Sequence, residues 1–381
     1  MNYELKMLYL PTKSDDRKVL TNKMNNKDTL TVEAVALLKQ LISTPRRSRE
    51  ETAAADIMAK AMQDFGLEIQ REGNNIWSVC PDYDESKPTL LLNAHIDTVK
   101  AVATWTRDPF SPTLEGDRLY GLGSNDDGAS LVSLLQVFRV LTDEQRQYNM
   151  IYLCSAEEEV SGKNGIEHAL TLLPRIDVAL VGEPTGMQPA IAEKGLMVLD
   201  ITAHGKSGHA ARNEGDNAIL HAIDDINWIR HYHFPDESAL LGPVKMSTTI
   251  ISAGTQHNVI PDECTFTVDV RSNELYSNQQ ILETLLQNLR SDVKARSTRL
   301  SSSRIDIHHP LVQRTIALGL TPFGSPTLSD QALMHFPSMK MGPGQSSRSH
   351  TADEFICISE ISEAIDLYLE VLRGLEIPRI S

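Results

Sequence analysis

Residues 90–98 read Leu90-Leu91-Leu92-Asn93-Ala94-His95-Ile96-Asp97-Thr98, an apolar run closed by a His-x-Asp step. The run predicts a buried strand. Side chains two apart on a strand share a face, so His95 and Asp97 point the same way at its carboxyl end. That end is where α/β proteins place their chemistry. One imidazole nitrogen can bind a metal while the other donates to the Asp carboxylate, which sets the tautomer and raises ligand basicity. The same pair also suits a plain hydrogen-bonded strand end, and the choice turns on whether matching ligands occur downstream.

Outward from this strand, helices and strands alternate. Ala34, Val35, Leu37, Leu38, Leu41 and Ile42 make one helical face, and Ser48 with Glu51 reads as a capping box opening a helix that runs to about Phe65. A helix over 129–141 is apolar nearly all round and therefore buried. Further strands are predicted at 150–155 and 178–181. This alternation predicts an α/β fold, a mainly parallel sheet sandwiched by helices. After about Glu193 the texture changes. Segments 197–203, 249–252 and 265–270 alternate apolar and polar, as half-exposed antiparallel strands do. Helical patterns at 217–229 and 281–289 lie between and after them. Helical periodicity returns at 311–318 and 361–372. The expected organisation is a discontinuous catalytic domain over 29–193 and 306–381 with an inserted α+β lid or dimerisation domain at 194–305. Gly195 and Ser301–Ser303 are the expected hinges. Residues 1–28 are polar and weakly periodic, an expected poorly ordered extension in which Met24 is a candidate start.

The chain has 381 residues, 41% of them apolar, enough for more than one core. Its formal charge of −15 offers no basic stripe for nucleic acid. No apolar run approaches the length of a membrane span, and the N-terminus lacks the layout of a signal peptide. Cys80, Cys154, Cys264 and Cys357 are scattered, which reads as reduced thiols of a cytoplasmic protein.

Four sites downstream of His95 bear on its role. Gly121-Leu122-Gly123-Ser124-Asn125-Asp126-Asp127-Gly128 leads into the buried helix, where either aspartate also suits a cap. Glu157-Glu158-Glu159 comes directly after the strand 150–155, and three successive carboxylates there repel unless a cation compensates. Gly182-Glu183-Pro184-Thr185 comes directly after 178–181. Gly342-Pro343-Gly344 precedes Ser349-His350-Thr351, where Thr351 with Glu354 also resembles a helix cap. Each has a plain structural reading. Together they supply His, Asp, Glu, Glu and His at the ends of core elements, the donor set of a two-metal hydrolytic site with a carboxylate to spare as base.

The order HxD, GxGxxDD, EEE, GEPT, GH, NVIP and late SH resembles the M20 metallopeptidase and deacylase family over roughly residues 30–375. The nearest likeness is to its acetylornithine deacetylase-like branch. The resemblance implies two zinc ions, for which cobalt or manganese substitutes, bridged by Asp126. One would also be held by His95 and Glu183, the other by Glu159 and His350. Asp97 would orient His95, and Glu158 would be the general base. The family's Asp-Glu-Glu is placed here on Glu157-Glu158-Glu159; a slip by one residue would make Glu157 the base and Glu158 the ligand. The Asp126-Asp127 peptide is expected to be cis. His209, in Gly205-Lys206-Ser207-Gly208-His209, would stabilise the oxyanion in a partner subunit's site. Asn258, Arg271 and Gly344 would contact substrate, although Arg271 also suits an ion pair with Asp269 or Glu274. The sequence departs from the family at Leu122, where Arg is usual. It also carries Arg348 beside His350, placed either to read a succinyl carboxylate or to face solvent.

The implied reaction is removal of an acyl group from an N-acylated amino acid. N-acetyl-ornithine comes first, with N-succinyl-ornithine or N-acetyl-citrulline next, in arginine biosynthesis. A dipeptidase, an aminoacylase or succinyl-diaminopimelate desuccinylase are the alternatives, and a catalytically dead binding protein on the same fold a remote one. The partners implied are the small substrate and a second copy of the chain, with no nucleic acid and no membrane.

Overall fold

The computed structural model describes residues 27–212 and 214–379. Residues 1–26, with Met24, lie outside them, and Lys27-Asp28 already belong to the helix Lys27–Ile42, the first among the described residues. The predicted strand spans Thr89–His95 and is buried at every position. It sits at the centre of a mixed sheet between strands Asn149–Ser155 and Val178–Val181, parallel to both. Strand Ser338–Lys340 continues the parallel set beyond Val178–Val181. Asn75–Val79 and Gln70–Glu72 add antiparallel strands at one side, and Ala190–Glu193 with Ser303–Arg304 extends the other. Four parallel strands thus deliver their carboxyl ends to one edge. Just past those ends the chain carries Asp97, Glu157–Glu159, Glu183 and the loop to His350.

Helix Ala129–Thr142 is buried from Ala129 to Leu141. It packs between the central strands and the helices Lys27–Ile42 and Ile358–Leu372, which explains an apolar surface without a polar face. The opposite face of the sheet is covered by the short helix Ile166–Ala169 and the turn Asp330–Leu333.

Strands Lys245–Ala253, Glu263–Arg271, Met197–His204 and Asp292–Ala295 form a separate antiparallel sheet in that spatial order. The helices Ala218–His231 and Asn278–Asn288 pack with it, and their buried apolar residues cluster with those of the sheet. The molecule is therefore α/β with a mainly parallel core sheet and an antiparallel second sheet. Its four thiols are free. No helix among the described residues is long and apolar enough to cross a membrane.

Two expected caps are replaced. Ser48 does not open the second helix, which runs Thr52–Asp64 from Glu51 without a side-chain cap. Its hydroxyl donates instead to Asp97 Oδ2 at 2.7 Å, and Glu51 accepts from the backbone N–H of Glu157 at 3.2 Å. Likewise Thr351 caps no helix. The last helix starts at Ile358 behind Cys357 and Glu360, and Glu354 is used elsewhere. In both cases a buried polar group in the site outcompetes the local cap for the same side chain.

Candidate active site

The site is built where the parallel strands end. His95 is buried, its Nδ1 3.0 Å from the Asp97 backbone oxygen and 3.6 Å from Asp97 Oδ1. Its Nε2 lies 3.2 Å from Asp126 Oδ1 and 4.0 Å from Glu158 Oε2. The other oxygen of Asp126 is 3.5 Å from His350 Nε2, and that nitrogen is 3.0 Å from Glu159 Oε2. His95, Asp126 and Glu159 offer ligand atoms all within 4.8 Å of one another. Asp126, Glu158, Glu159, Glu183 and His350 line a single cavity of about 400 Å³.

Burial pushes Glu158 well above the usual carboxylate range; His95 opposes the shift and Glu183 adds to it. Burial pushes Glu183 up as well, against the pull of Lys340 and with Asp126 reinforcing it. Its bond to Glu159 raises His350 to about 9. A cluster of buried carboxylates that hold one another's charge off, with imidazoles between them, is what a cation site looks like before its charge is supplied. Asp126 has one oxygen toward each imidazole, and the donor set is oxygen and nitrogen throughout, so the residues fit a pair of divalent cations.

Apart from Asp97 as the partner of His95, the supports of this cluster were not foreseen. Asp97, besides facing His95, accepts the backbone N–H of Glu158 at 3.0 Å and of Glu159 at 3.1 Å. Glu354 accepts three backbone N–H groups of the Asp126 loop, from Gly123, Asn125 and Asp126, at 3.0, 2.8 and 2.9 Å. The fully buried Arg46 ties the two loops together through the carbonyls of Ile96 and Gly123. Asn125 braces the His350 loop through the backbone of Gln345. Gly344 belongs to this brace: it has φ +84°, and Asn125 occupies the space its Cβ would take. His350 itself has φ +59°, uncommon for a residue with a side chain and typical of a constrained site. No spacing rule announces Arg46, Asn125 or Glu354, because each joins segments far apart in the chain.

These contacts make Glu354 testable by stability. Glu354→Gln puts an amide where three N–H donors converge, so thermal unfolding should show a loss of roughly 2–3 kcal/mol. An unchanged melting temperature would mean that the loop does not need this acceptor.

The other residues singled out by the sequence have varied positions. The Asp126-Asp127 peptide is cis. Glu157 turns away from the cavity to Asn164 and Arg49. Asp127 is buried, and burial raises its carboxyl to about 7. Arg348 neither enters the cavity nor faces solvent freely. It makes two bonds to Glu360 and lies over the Phe355 ring, so a second acid and an aromatic face claim its charge. Arg271 is paired with Asp269 at 2.8 and 3.1 Å. His209 and Asn258 are exposed on the ribbon that pairs 208–209 with 259–260. The structure does not bring Arg271, His209 or Asn258 to the cavity within one chain.

Fold and site together define a metallohydrolase-type centre on a parallel α/β sheet. The sequence profile of peptidase family M20/M25/M40 matches residues 91–374, and the chain belongs to this family. It is 26% identical over 374 residues to acetylornithine deacetylase of Proteus mirabilis, covering 89% of this chain and 96% of that protein. It is also 26% identical over 351 residues to the [LysW]-lysine/[LysW]-ornithine hydrolase of Sulfurisphaera tokodaii, with 89% and 94% covered. Among solved structures, a tripeptidase of Staphylococcus aureus superposes with a TM-score of 0.70 at 18% identity, over 90% of this chain and 98% of that one. A dinuclear metal binding peptidase of the M20 family from Bacillus subtilis superposes with a TM-score of 0.69 at 15% identity, over 91% and 98%. The protein is a metal-dependent hydrolase of amide bonds.

Proposed function

We propose that the chain is a dinuclear deacylase that cleaves the amide of an N-acylated amino acid, with N-acetyl-ornithine, N-succinyl-ornithine and N-acetyl-citrulline as its candidate substrates. The observation that carries this reading is Asp126, whose two oxygens face His95 and His350 on opposite sides. In this reading His95, Asp126 and Glu183 would hold one zinc, and Asp126, Glu159 and His350 the other, with cobalt or manganese able to replace it. When bound, such ions would polarise the amide carbonyl and lower the pKa of a water in the site toward about 7. Glu158, on the cavity wall 4.0 Å from His95 Nε2, would take the water's proton and hand it to the leaving amine. Asp97 orients His95 and, through two backbone N–H groups, keeps Glu158 and Glu159 at their stations.

The segment 194–305 is read as a lid through which two copies pair. Lys245–Ala253 is an edge strand of its sheet with Ile250 and Ile251 exposed, an unpaired edge of the kind a two-fold partner can extend. Such a partner would bring its own lid to this cavity, which His209 and Asn258 of the same chain do not reach. A role in arginine biosynthesis and a cytoplasmic location go with the substrates proposed.

The test is metal analysis with a substrate panel of N-acetyl-ornithine, N-succinyl-ornithine, N-acetyl-citrulline, succinyl-diaminopimelate and simple dipeptides. Two metal ions per chain and release of ornithine that a chelator abolishes are expected. Absence of metal with no hydrolysis across the panel would overturn the reading; cleavage of dipeptides alone would move it to a peptidase.

A further inference from the structure

The cavity lining has a second, chemically different part. Besides the acidic cluster and His350 it includes Ser325, Thr327 and Lys340. Among the lining residues Lys340 is the single Lys or Arg. It ends strand Ser338–Lys340, where Met339 and Met341 turn into the core and alternation puts Lys340 on the other face.

A buried ammonium is costly unless paired. Lys340 Nζ lies 3.1 Å from Glu193 Oε2, 3.0 Å from the Thr327 carbonyl and 3.1 Å from Thr327 Oγ1. Glu193 is wholly buried, does not line the cavity, and is held from behind by the N–H and hydroxyl of Ser329. The ion pair is therefore oriented, with its positive end at the cavity wall and its negative end behind it. A buried pair of this kind seldom stabilises a fold more than apolar side chains would, so its place on a cavity wall calls for another reason.

All three Nζ protons have partners, so the contact with a ligand passes through the hydroxyls. Thr327 Oγ1 accepts from Lys340 and keeps its own proton. Ser325 Oγ is 3.0 Å from Thr327 Oγ1. Two hydroxyls carry two protons and the bond between them uses one. The other is available to an acceptor in the cavity; where Ser325 carries it, the Thr327 carbonyl 3.3 Å from Ser325 Oγ is a weak alternative. A hydroxyl proton backed by an ammonium suits an anionic oxygen. Arg348, the other cation near the loop, is already engaged by Glu360.

We propose that Ser325, Thr327 and Lys340 form a carboxylate-binding subsite, so that the cavity selects substrates with a carboxylate beyond the reacting amide. This rests on the deacylase reading above. The carboxylate comes either from a dicarboxylic acyl group of the succinyl kind or from the α-carboxylate of the amino acid.

The experiment uses the metal-loaded full chain and two substrate pairs. N-succinyl- and N-butyryl-ornithine differ only in a terminal carboxylate against a methyl group. N-acetyl-ornithine and its α-carboxamide differ only in the α-carboxylate. The variants are the double substitution Lys340→Met with Glu193→Gln, which removes both members of the ion pair together and is checked for unchanged metal content because Lys340 also faces Glu183, and Thr327→Val, which leaves the ion pair in place. For one of the pairs, kcat/KM of the acid should exceed that of its neutral partner at least tenfold. In both variants that ratio should fall several-fold, mainly through KM. The pair that responds identifies which carboxylate is bound. Ratios unchanged in variants with native melting curves would overturn the subsite. Calorimetric binding of succinate against butyrate gives a reading without turnover, with the same preference expected and lost in the variants. If the unsubstituted chain hydrolyses none of the four substrates, the choice of an acyl-ornithine substrate fails. Calorimetry then still decides the subsite, since a preference unchanged by the substitutions overturns it.

Discussion

Glu158→Gln is expected to lower kcat by roughly 10²–10⁴-fold, the range for loss of a positioned general base, while metal content stays at that of the unsubstituted chain. The amide has the same shape and cannot take a proton. The turn should survive, because Asp97 holds it through the backbone N–H of Glu158 and not through its side chain. Glu157→Gln is the informative control. Glu157 points to Asn164 and Arg49 and away from the cavity, so its loss should cost turnover no more than a few-fold. Steady-state kinetics with metal analysis by mass spectrometry decides the matter. An active Glu158→Gln beside an inactive Glu157→Gln would exchange the two roles.

Asp97→Ala should be nearly as damaging by a different route. This carboxylate faces His95 Nδ1 and accepts from the Ser48 hydroxyl and from two consecutive backbone N–H groups of the acidic turn. Its removal leaves buried donors without acceptors at about 1–3 kcal/mol each. It also unfixes the imidazole tautomer, and loss of such an outer partner lowers metal affinity about 10–100-fold. Competition with a chelator should show the weaker binding, and urea unfolding the lower stability. Asp97→Asn keeps one acceptor oxygen and should fall between. His95→Ala, by contrast, removes a donor atom itself and should lose metal outright. If Asp97→Ala bound metal as tightly as the unsubstituted chain, the orienting role would be wrong.

Much of this was legible in the chain because burial leaves a periodic trace. The continuous apolar runs at 90–94, 150–155 and 178–181 mark strands covered on both faces, and the observed strands begin and end within a residue or so of them. The all-round apolar helix at 129–141 had to lie between layers, and it does. The alternating segments after Met197 mark a sheet with one face open, seen in Met197–His204 as regular switching between buried and partly buried positions. The carboxylates and histidines were visible because each sits directly after a core strand or a glycine turn.

Side chains that act across the fold were not legible. Ser48, Glu51 and Thr351 with Glu354 match local capping patterns, yet Ser48, Glu51 and Glu354 serve groups brought to them by tertiary packing. A motif records what a residue can do with its neighbours in sequence; it is silent on a stronger partner arriving from elsewhere. Arg348 was open between substrate and solvent and is spent on Glu360, while Lys340 drew no notice in its strand and lines the cavity.

The central strands and the buried helix, the placing of chemistry at the ends of parallel strands and the family are readable from the chain, because they depend on periodicity and on motif order along it, whereas short strands such as Ser338–Lys340 leave too little pattern to read. Tertiary structure was needed to decide which acids of the Glu157-Glu158-Glu159 run face the cavity, which groups hold the ligand loops, and that Lys340 lines the cavity. Those outcomes depend on competition among buried polar groups for a few partners, and that competition is settled by distances that spacing in the chain does not encode.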